Sequence, residues 1–123
     1  MAAATEGPRD LGFILTELPG TLSRDVVTIA SGSGKLDPGT LLAKLAATSK
    51  YVPSPATGAD GSQTAIAVLA YGVDATSADV DAVVVANDAE VKDPMLVFHS
   101  SVDDDTKRNA KLTQLRAVNI KAR

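Results

Sequence analysis

The stretch from Thr64 to Phe98 constrains the fold of this chain more than any other. Thr64 to Tyr71 is an apolar run with the length of a strand that is buried on both faces. Ala82 to Ala86 is a second apolar run, with three consecutive valines, and β-branched side chains pack well on a pleated surface. Met95 to Phe98 continues this pattern as a shorter return strand. The stretch therefore predicts a β core.

Shorter segments add to this core. Val26 to Ala30 is rich in β-branched residues, which predicts a further strand. Thr40 to Ala47 is ambiguous, because its Leu and Ala content favours a helix while its short length favours a strand. We interpret it as a strand. A polar turn between the two long runs is indicated by Asp74, Ser77 and Asp79, whose short side chains bond to nearby backbone groups.

The C-terminal part of the chain predicts one helix, over about residues 103–118. An N-cap acceptor and carboxylates at the positive end of the helix dipole are supplied by Asp103, Asp104 and Asp105. A narrow apolar stripe for docking on the sheet is formed by Leu112, Leu115 and Val118. Residues 119–121 are expected to leave the helix as a short extended end. The fold class is therefore α+β, predominantly β: a small antiparallel barrel-like domain with one C-terminal helix.

The size and composition of the chain exclude several classes of protein. A chain of 123 residues is one domain and folds without metal or disulfide staples. Aromatic residues make up 3%, too few for the stacking platforms that bind nucleic-acid bases. The absence of cysteine excludes thiol catalysis and thiolate metal sites. We find neither an apolar stretch of about 20 residues nor a secretory signal, and we expect a soluble protein without direct nucleic-acid or membrane contacts.

Charge is distributed unevenly along the chain. Residues 58–105 contain ten acidic residues and a single Lys or Arg, Lys92. Residues 106–123 contain six basic residues and no acidic ones. This basic segment could bind an anionic partner, or it could form a helix with a basic solvent face beside an acidic β domain. We favour the second interpretation, because the cluster is sparse and has no interleaved aromatic residues.

No constellation of residues indicates catalysis. His99 is the only histidine, and it could act as a general base with Asp103 near Ser100 or Ser101. Proximity in sequence is not a useful signal for this, because such groups are assembled in space. The turn at residues 58–61 lacks the residues that follow in a phosphate or calcium loop. We therefore predict no catalytic residues, no metal site and no cofactor.

The first 22 residues are predicted to be an extended arm, followed by a β-rich domain over residues 23–123. Residues 1–10 are small and polar and show no periodicity. Phe13-Ile14-Leu15 is then an isolated apolar patch. Two interpretations of this patch remain open: it docks on another protein, or it is the first edge strand of the domain itself.

The order of these segments resembles the lambda-type bacteriophage head decoration proteins. The resemblance extends from about Phe13 to the C-terminus and therefore covers nearly the whole chain. Its most specific parts are Ser23-Arg24-Asp25, the run from Pro38 to Leu42, and Val73 to Thr76 followed by the segment Asp88 to Val91.

The resemblance implies a structural protein of the virion. Members of this family bind as homotrimers to the outer surface of the expanded capsid, at threefold and quasi-threefold positions, and stabilise the head against DNA packaging pressure. The implied partner is the major capsid (coat) protein. In the family the N-terminal segment adds a strand to coat-protein β structure, and this capsid-binding role falls here to Phe13, Ile14, Leu15, Thr16, Glu17 and Leu18.

The alternative is a small β-barrel binding or carrier module similar to the lipoyl-type domains. Such a module displays a lysine on a tight hairpin within a recognisable motif. Lys44 instead lies inside the apolar run from Thr40 to Ala47, which argues against this alternative.

Overall fold

The computed structural model describes residues 13–17 and 24–123. One α-helix of the described residues, α1, spans Asp105–Arg116, and a short 3₁₀ helix spans Asp93–Met95. The strands are β1 Ile14–Glu17, β2 Arg24–Ile29, β3 Gly34–Leu36, β4 Leu41–Lys44, β5 Tyr51–Pro53, β6 Ala67–Leu69, β7 Val73–Ala75, β8 Val80–Val85, β9 Ala89–Val91 and β10 Ile120–Ala122.

Five strands close into a barrel in the order β2-β5-β4-β6-β8. The longest pairing is antiparallel and joins all six residues of β2 to β8, from Arg24 opposite Val85 to Ile29 opposite Val80. One pairing in the barrel, between β2 and β5, is parallel. The barrel with one helix near the C-terminus confirms the predicted fold class.

Two apolar clusters form because neighbouring residues of a strand point to opposite faces. One cluster fills the barrel and contains Ile29, Leu42 and Val84. The other lies on the outer side of the same barrel wall, where it contains Leu41 and Val85. Strands β4, β6 and β8 are therefore buried on both faces, as the apolar run from Thr64 to Tyr71 predicted for one of them.

A second sheet and α1 cover the outer cluster. This sheet has the order β1-β9-β10, with β10 parallel to β9. Leu115 of α1 and Ile120 of β10 are both fully buried in the outer cluster. Leu112 and Val118 are partly buried and pack against the same cluster. The predicted apolar stripe of the helix thus docks on the β structure.

The N-terminus of α1 is capped as the aspartate run predicted. The side chain of Asp104 accepts a hydrogen bond of 2.8 Å from the backbone N–H of Lys107. The helix runs from 105 to 116, slightly shorter than the predicted 103–118, because Asp104 itself is the extended N-cap residue. At the other end Asn119 adopts a positive φ of 62° and the chain continues into β10, the extended end that the sequence predicted.

We expect the substitution Asp104→Ala to lower the free energy of unfolding by about 0.5–2 kcal/mol, because it leaves an N–H at the helix end without its partner. Asp103→Ala is the matched control, since it removes the exposed ion pair with Lys107, leaves the cap in place and should cost less. Urea unfolding followed by circular dichroism measures both. Equal losses in the two variants would contradict the assignment of Asp104 as the cap.

Some predicted elements were wrong. Met95 to Phe98 is not a strand. Pro94 lies in the 3₁₀ helix Asp93–Met95, to which its fixed φ is suited, and of these four residues only Val97 forms an isolated bridge, with Thr40. Asp74 lies within β7 rather than in a turn. The predicted strand over Thr40 to Ala47 is confirmed only for Leu41–Lys44.

Candidate functional site: the edge strand β1 and the groups around it

Strand β1 is the candidate capsid-binding segment, and it pairs with β9 of its own chain. The pairing is antiparallel, with Ile14 opposite Val91 and Glu17 opposite Ala89. The register shifts between Ile14 and Thr16, which makes Leu15 the extra residue of a β-bulge. Residues 14–17 therefore form an edge strand of the described β structure, the second of the two interpretations that the sequence left open.

Phe13 fixes the beginning of this strand. Phe13 is 1% exposed and belongs to the outer apolar cluster together with Val91 and Leu115. Its carbonyl oxygen accepts a hydrogen bond of 2.7 Å from the backbone N–H of Lys92. The side chain of Phe13 is thus part of the core of the domain. A direct contact of Phe13 with another protein would require it to leave this position.

The second edge of β1 has no partner strand within residues 13–17 and 24–123. Strand β9 pairs with one side of β1, and β10 pairs with the other side of β9. A strand at the edge of a sheet presents backbone N–H and C=O groups that another chain can pair with. Of the arm predicted over residues 1–22, residues 1–12 and 18–22 lie outside the described residues, and so does the predicted domain boundary at residues 22–23. The capsid-binding role of Phe13, Ile14, Leu15, Thr16, Glu17 and Leu18 stays a prediction.

Three cations of the basic C-terminal segment form ion pairs within the domain. Lys107 pairs with Asp103, Arg108 with Asp93 and Arg123 with Glu90, at 2.8, 2.7 and 2.7 Å. Hydrogen bonding and charge attraction in the first pair lower the pKa of Asp103 and raise the pKa of Lys107. The three carboxylates all belong to the acidic stretch over residues 58–105.

Arg108 also stacks on an aromatic ring. Its guanidinium carbon lies 4.2 Å from the centre of the Phe98 ring, within the range of a cation–π contact. The basic segment therefore tethers the helix and the C-terminal strand to the rest of the fold. These contacts account for three of the six basic residues of the segment within the domain itself.

Lys111 is the basic residue whose position the sequence reasoning missed. It is 2% exposed, and its Nζ donates to Ser54 Oγ at 2.8 Å and to the carbonyl oxygen of Gln63 at 2.7 Å. Burial lowers the pKa of this ammonium group. The sequence signal for this buried position is the spacing: Lys111 lies four residues before Leu115 and therefore on the same face of the helix.

His99 takes part in a local turn. The backbone N–H of Ser101 donates to His99 Nδ1 at 3.1 Å, and Ser101 Oγ lies 2.8 Å from the same nitrogen. Ser101 Oγ also accepts a bond of 2.9 Å from the backbone N–H of Ala56. Asp103, the proposed orienting acid, instead binds Lys107. The contact between His99 and Ser101 is explained by the local turn that contains both residues.

Other proposed sites find no support in the described residues. Lys44 lies in β4 opposite Tyr51, not on the turn of a hairpin where a carrier module displays its lysine. No group of three or more histidine or carboxylate side chains in the described part of the chain is placed to hold a metal ion. Among those residues, no helix has the length and apolar character needed to cross a membrane.

Comparison with known proteins agrees with the fold and with the sequence resemblance. No curated protein matched the chain. A family model described as bacteriophage lambda head decoration protein D matches residues 3–120, which include every described strand and helix except the last two residues of β10. The protein therefore belongs to the bacteriophage lambda head decoration protein D family, whose role is the decoration of phage capsids.

Proposed function

We propose that the protein binds the outer surface of the expanded phage head as a homotrimer, at the threefold and quasi-threefold positions. There it contacts the major capsid protein and stabilises the head against the pressure of packaged DNA. It is made in the host cytoplasm and becomes part of the virion. Membership of the decoration protein family supports this proposal, and so does the edge of β1 that no strand of the described residues pairs with.

The edge of β1 is the observation that carries the proposed contact. Phe13 and the ladder to β9 hold residues 14–17 in an extended conformation at the edge of the sheet. A coat-protein strand that pairs there gains main-chain hydrogen bonds without first ordering this segment. The bulge at Leu15 limits the length of regular ladder, which makes the register specific.

Three copies of the chain strengthen this contact. A ladder of about four residues is short, and an isolated strand pairing of that length binds weakly. Once one subunit of a trimer is bound, the other two attach at a high effective concentration. We therefore expect tight binding of the trimer and weak binding of a single subunit.

Two truncations test the role of β1. A chain lacking residues 1–12 keeps β1, whereas a chain lacking residues 1–18 loses it. If residues 13–18 carry the contact, we expect the first protein to bind expanded, undecorated heads and the second to lose most of its binding. Co-sedimentation with the heads measures the affinity of each truncation.

The longer truncation also removes Phe13 from the core, so a matched control is needed. Leu112→Ala weakens the same outer cluster and leaves β1 intact. Thermal melting shows whether the control and the truncation are comparably destabilised. Heads that bind the 1–18 truncation as tightly as the full chain would rule out β1 as the anchor.

A further inference from the structure

Asp60 and Gly61 form the one place in the chain where an aspartate or an asparagine directly precedes a glycine. This dipeptide is chemically labile, because the backbone nitrogen of the glycine can attack the carboxyl carbon of the aspartate. Glycine has no Cβ atom to hinder that approach. Every other aspartate and asparagine of the chain is followed by a residue with a side chain. The sequence therefore concentrates this reaction at a single peptide bond.

The reaction is an isomerisation that proceeds through a cyclic imide. The nitrogen of Gly61 bonds to Cγ of Asp60 in its neutral carboxyl form, and the carboxyl OH leaves with the amide proton as water. A second water molecule then opens the ring. Opening at the backbone carbonyl carbon of Asp60 gives isoaspartate, in which the main chain runs through the former side chain. Water is lost and regained, so no other reactant is needed.

The fold requires both residues of this labile pair. Gly61 has a φ of +96°, and a Cβ atom there would lie 2.6 Å from the carbonyl oxygen of Lys44, so glycine alone fits without a shift of the backbone. Asp60 is exposed, and its Oδ1 accepts hydrogen bonds from the backbone N–H and the hydroxyl of Ser62. The conformation of the turn thus depends on the two residues that make it reactive.

Hydrogen bonds within the turn restrain both reacting groups. The backbone N–H of Gly61 donates to Gln63 Oε1 at 3.0 Å. This bond keeps the proton on the nitrogen, because a deprotonated nitrogen would face the lone pairs of the amide oxygen. The bonds from Ser62 lower the pKa of the Asp60 carboxyl group, which disfavours the neutral form that the attack requires.

We propose that Asp60 is the main site of spontaneous isoaspartate formation in this protein, and that the side chain of Gln63 slows the reaction there. The proposal concerns the chemical lifetime of the protein and is independent of the proposed function. A further contact supports it: the backbone N–H of Ala46 donates to the carbonyl oxygen of Asp60 at 2.9 Å. This bond restricts the backbone rotation that brings the carboxyl carbon of Asp60 to the nitrogen of Gly61.

Isomerisation would loosen the loop that contains this turn. The reaction inserts one more carbon atom into the main chain and turns the Asp60 carbonyl, the acceptor for Ala46, into a free carboxylate. The loop would then lose its tie to the β4–β5 connection. We therefore expect the isomerised fraction, separated by ion-exchange chromatography, to melt at a lower temperature than the intact protein.

Storage of the folded protein at neutral pH, followed by peptide mapping with mass spectrometry, tests the proposal. We expect isoaspartate to form first at Asp60, at least roughly fivefold more slowly than in a synthetic peptide of residues 56–66, in which these hydrogen bonds are not held. Gln63→Met has a side chain of similar length without the oxygen acceptor, and it should react roughly fivefold faster than the unmodified protein.

Gln63→Glu is the matched control, because it keeps an oxygen acceptor and should react at nearly the rate of the unmodified protein. Both variants retain the backbone carbonyl of Gln63 that accepts from Lys111, and thermal melting before storage compares their stability. An unmodified protein that reacts as fast as the peptide or as Gln63→Met would overturn the role of Gln63. Equal acceleration in both variants would do so too. Faster formation of isoaspartate at another residue would overturn the assignment of Asp60.

Discussion

Leu115→Ala should lower the free energy of unfolding by about 2–5 kcal/mol, as is typical when a buried leucine is truncated. Leu115 is fully buried where α1 meets the outer barrel wall and the β1-β9-β10 sheet. A cavity at this point weakens the contacts of the helix with both layers. Guanidinium unfolding followed by circular dichroism measures the loss.

Leu112→Ala is the graded control for this prediction. Leu112 is only partly buried against the same cluster, so its truncation removes less apolar surface and should cost less. An unfolding midpoint for Leu115→Ala equal to that of the unmodified protein would mean that α1 is not docked on the barrel.

Lys111→Ala should cost about 2–4 kcal/mol, whereas Lys111→Met should change stability by less than about 1 kcal/mol. Both substitutions leave the carbonyl oxygen of Gln63 without its lysine donor, and alanine also leaves a cavity. Methionine fills nearly the same volume and removes the need to bury a charge. Unfolding in urea at neutral pH separates the two variants. Equal losses in both would mean that the hydrogen bonds of Lys111, not its volume, supply the stability.

The stability difference between the unmodified protein and Lys111→Met should depend on pH. Burial lowers the pKa of Lys111 in the folded state, so between the folded and unfolded pKa values the unfolded chain binds more protons. The unmodified protein therefore gains stability relative to Lys111→Met as the pH rises towards about 10.5. Tyr51, whose pKa burial raises, is present in both proteins and cancels. A difference that falls with rising pH would contradict this assignment.

The sequence predicted the parts of the fold that local patterns determine. The valines of residues 83–85 favour a strand by their branching alone, and they lie in β8, which pairs with β2 and β6 in the barrel. The Asp104 cap follows from side-chain chemistry at a helix terminus. In both cases the residues that decide the structure lie within a few positions of one another.

Pairings between distant segments could not be predicted in this way. Strands β3 and β7 form a separate two-stranded sheet, yet neither contains an apolar run that would mark it. The parallel pairing of β10 with β9 depends on where α1 returns the chain. Such pairings are decided by tertiary packing, and a β preference read from sequence depends strongly on that context.

The candidate site was predicted only in part. The apolar patch at Phe13 was recognised, but its sequence fits an edge strand and an external anchor equally well. Its place as an edge strand depends on the pairing with β9, whose register no local pattern encodes. Lys111 was counted with the exposed cations because lysine is rarely buried. Its burial depends on acceptors at Ser54 and Gln63, which lie 57 and 48 residues away along the chain.

Electron microscopy of expanded, undecorated heads mixed with the full-length protein tests the central claim most directly. Reconstruction of the particles should reveal one trimer on the outer surface at each threefold and quasi-threefold position, with β1 beside a strand of the coat protein. Heads that remain bare, or that carry single copies or dimers at these positions, would contradict the account.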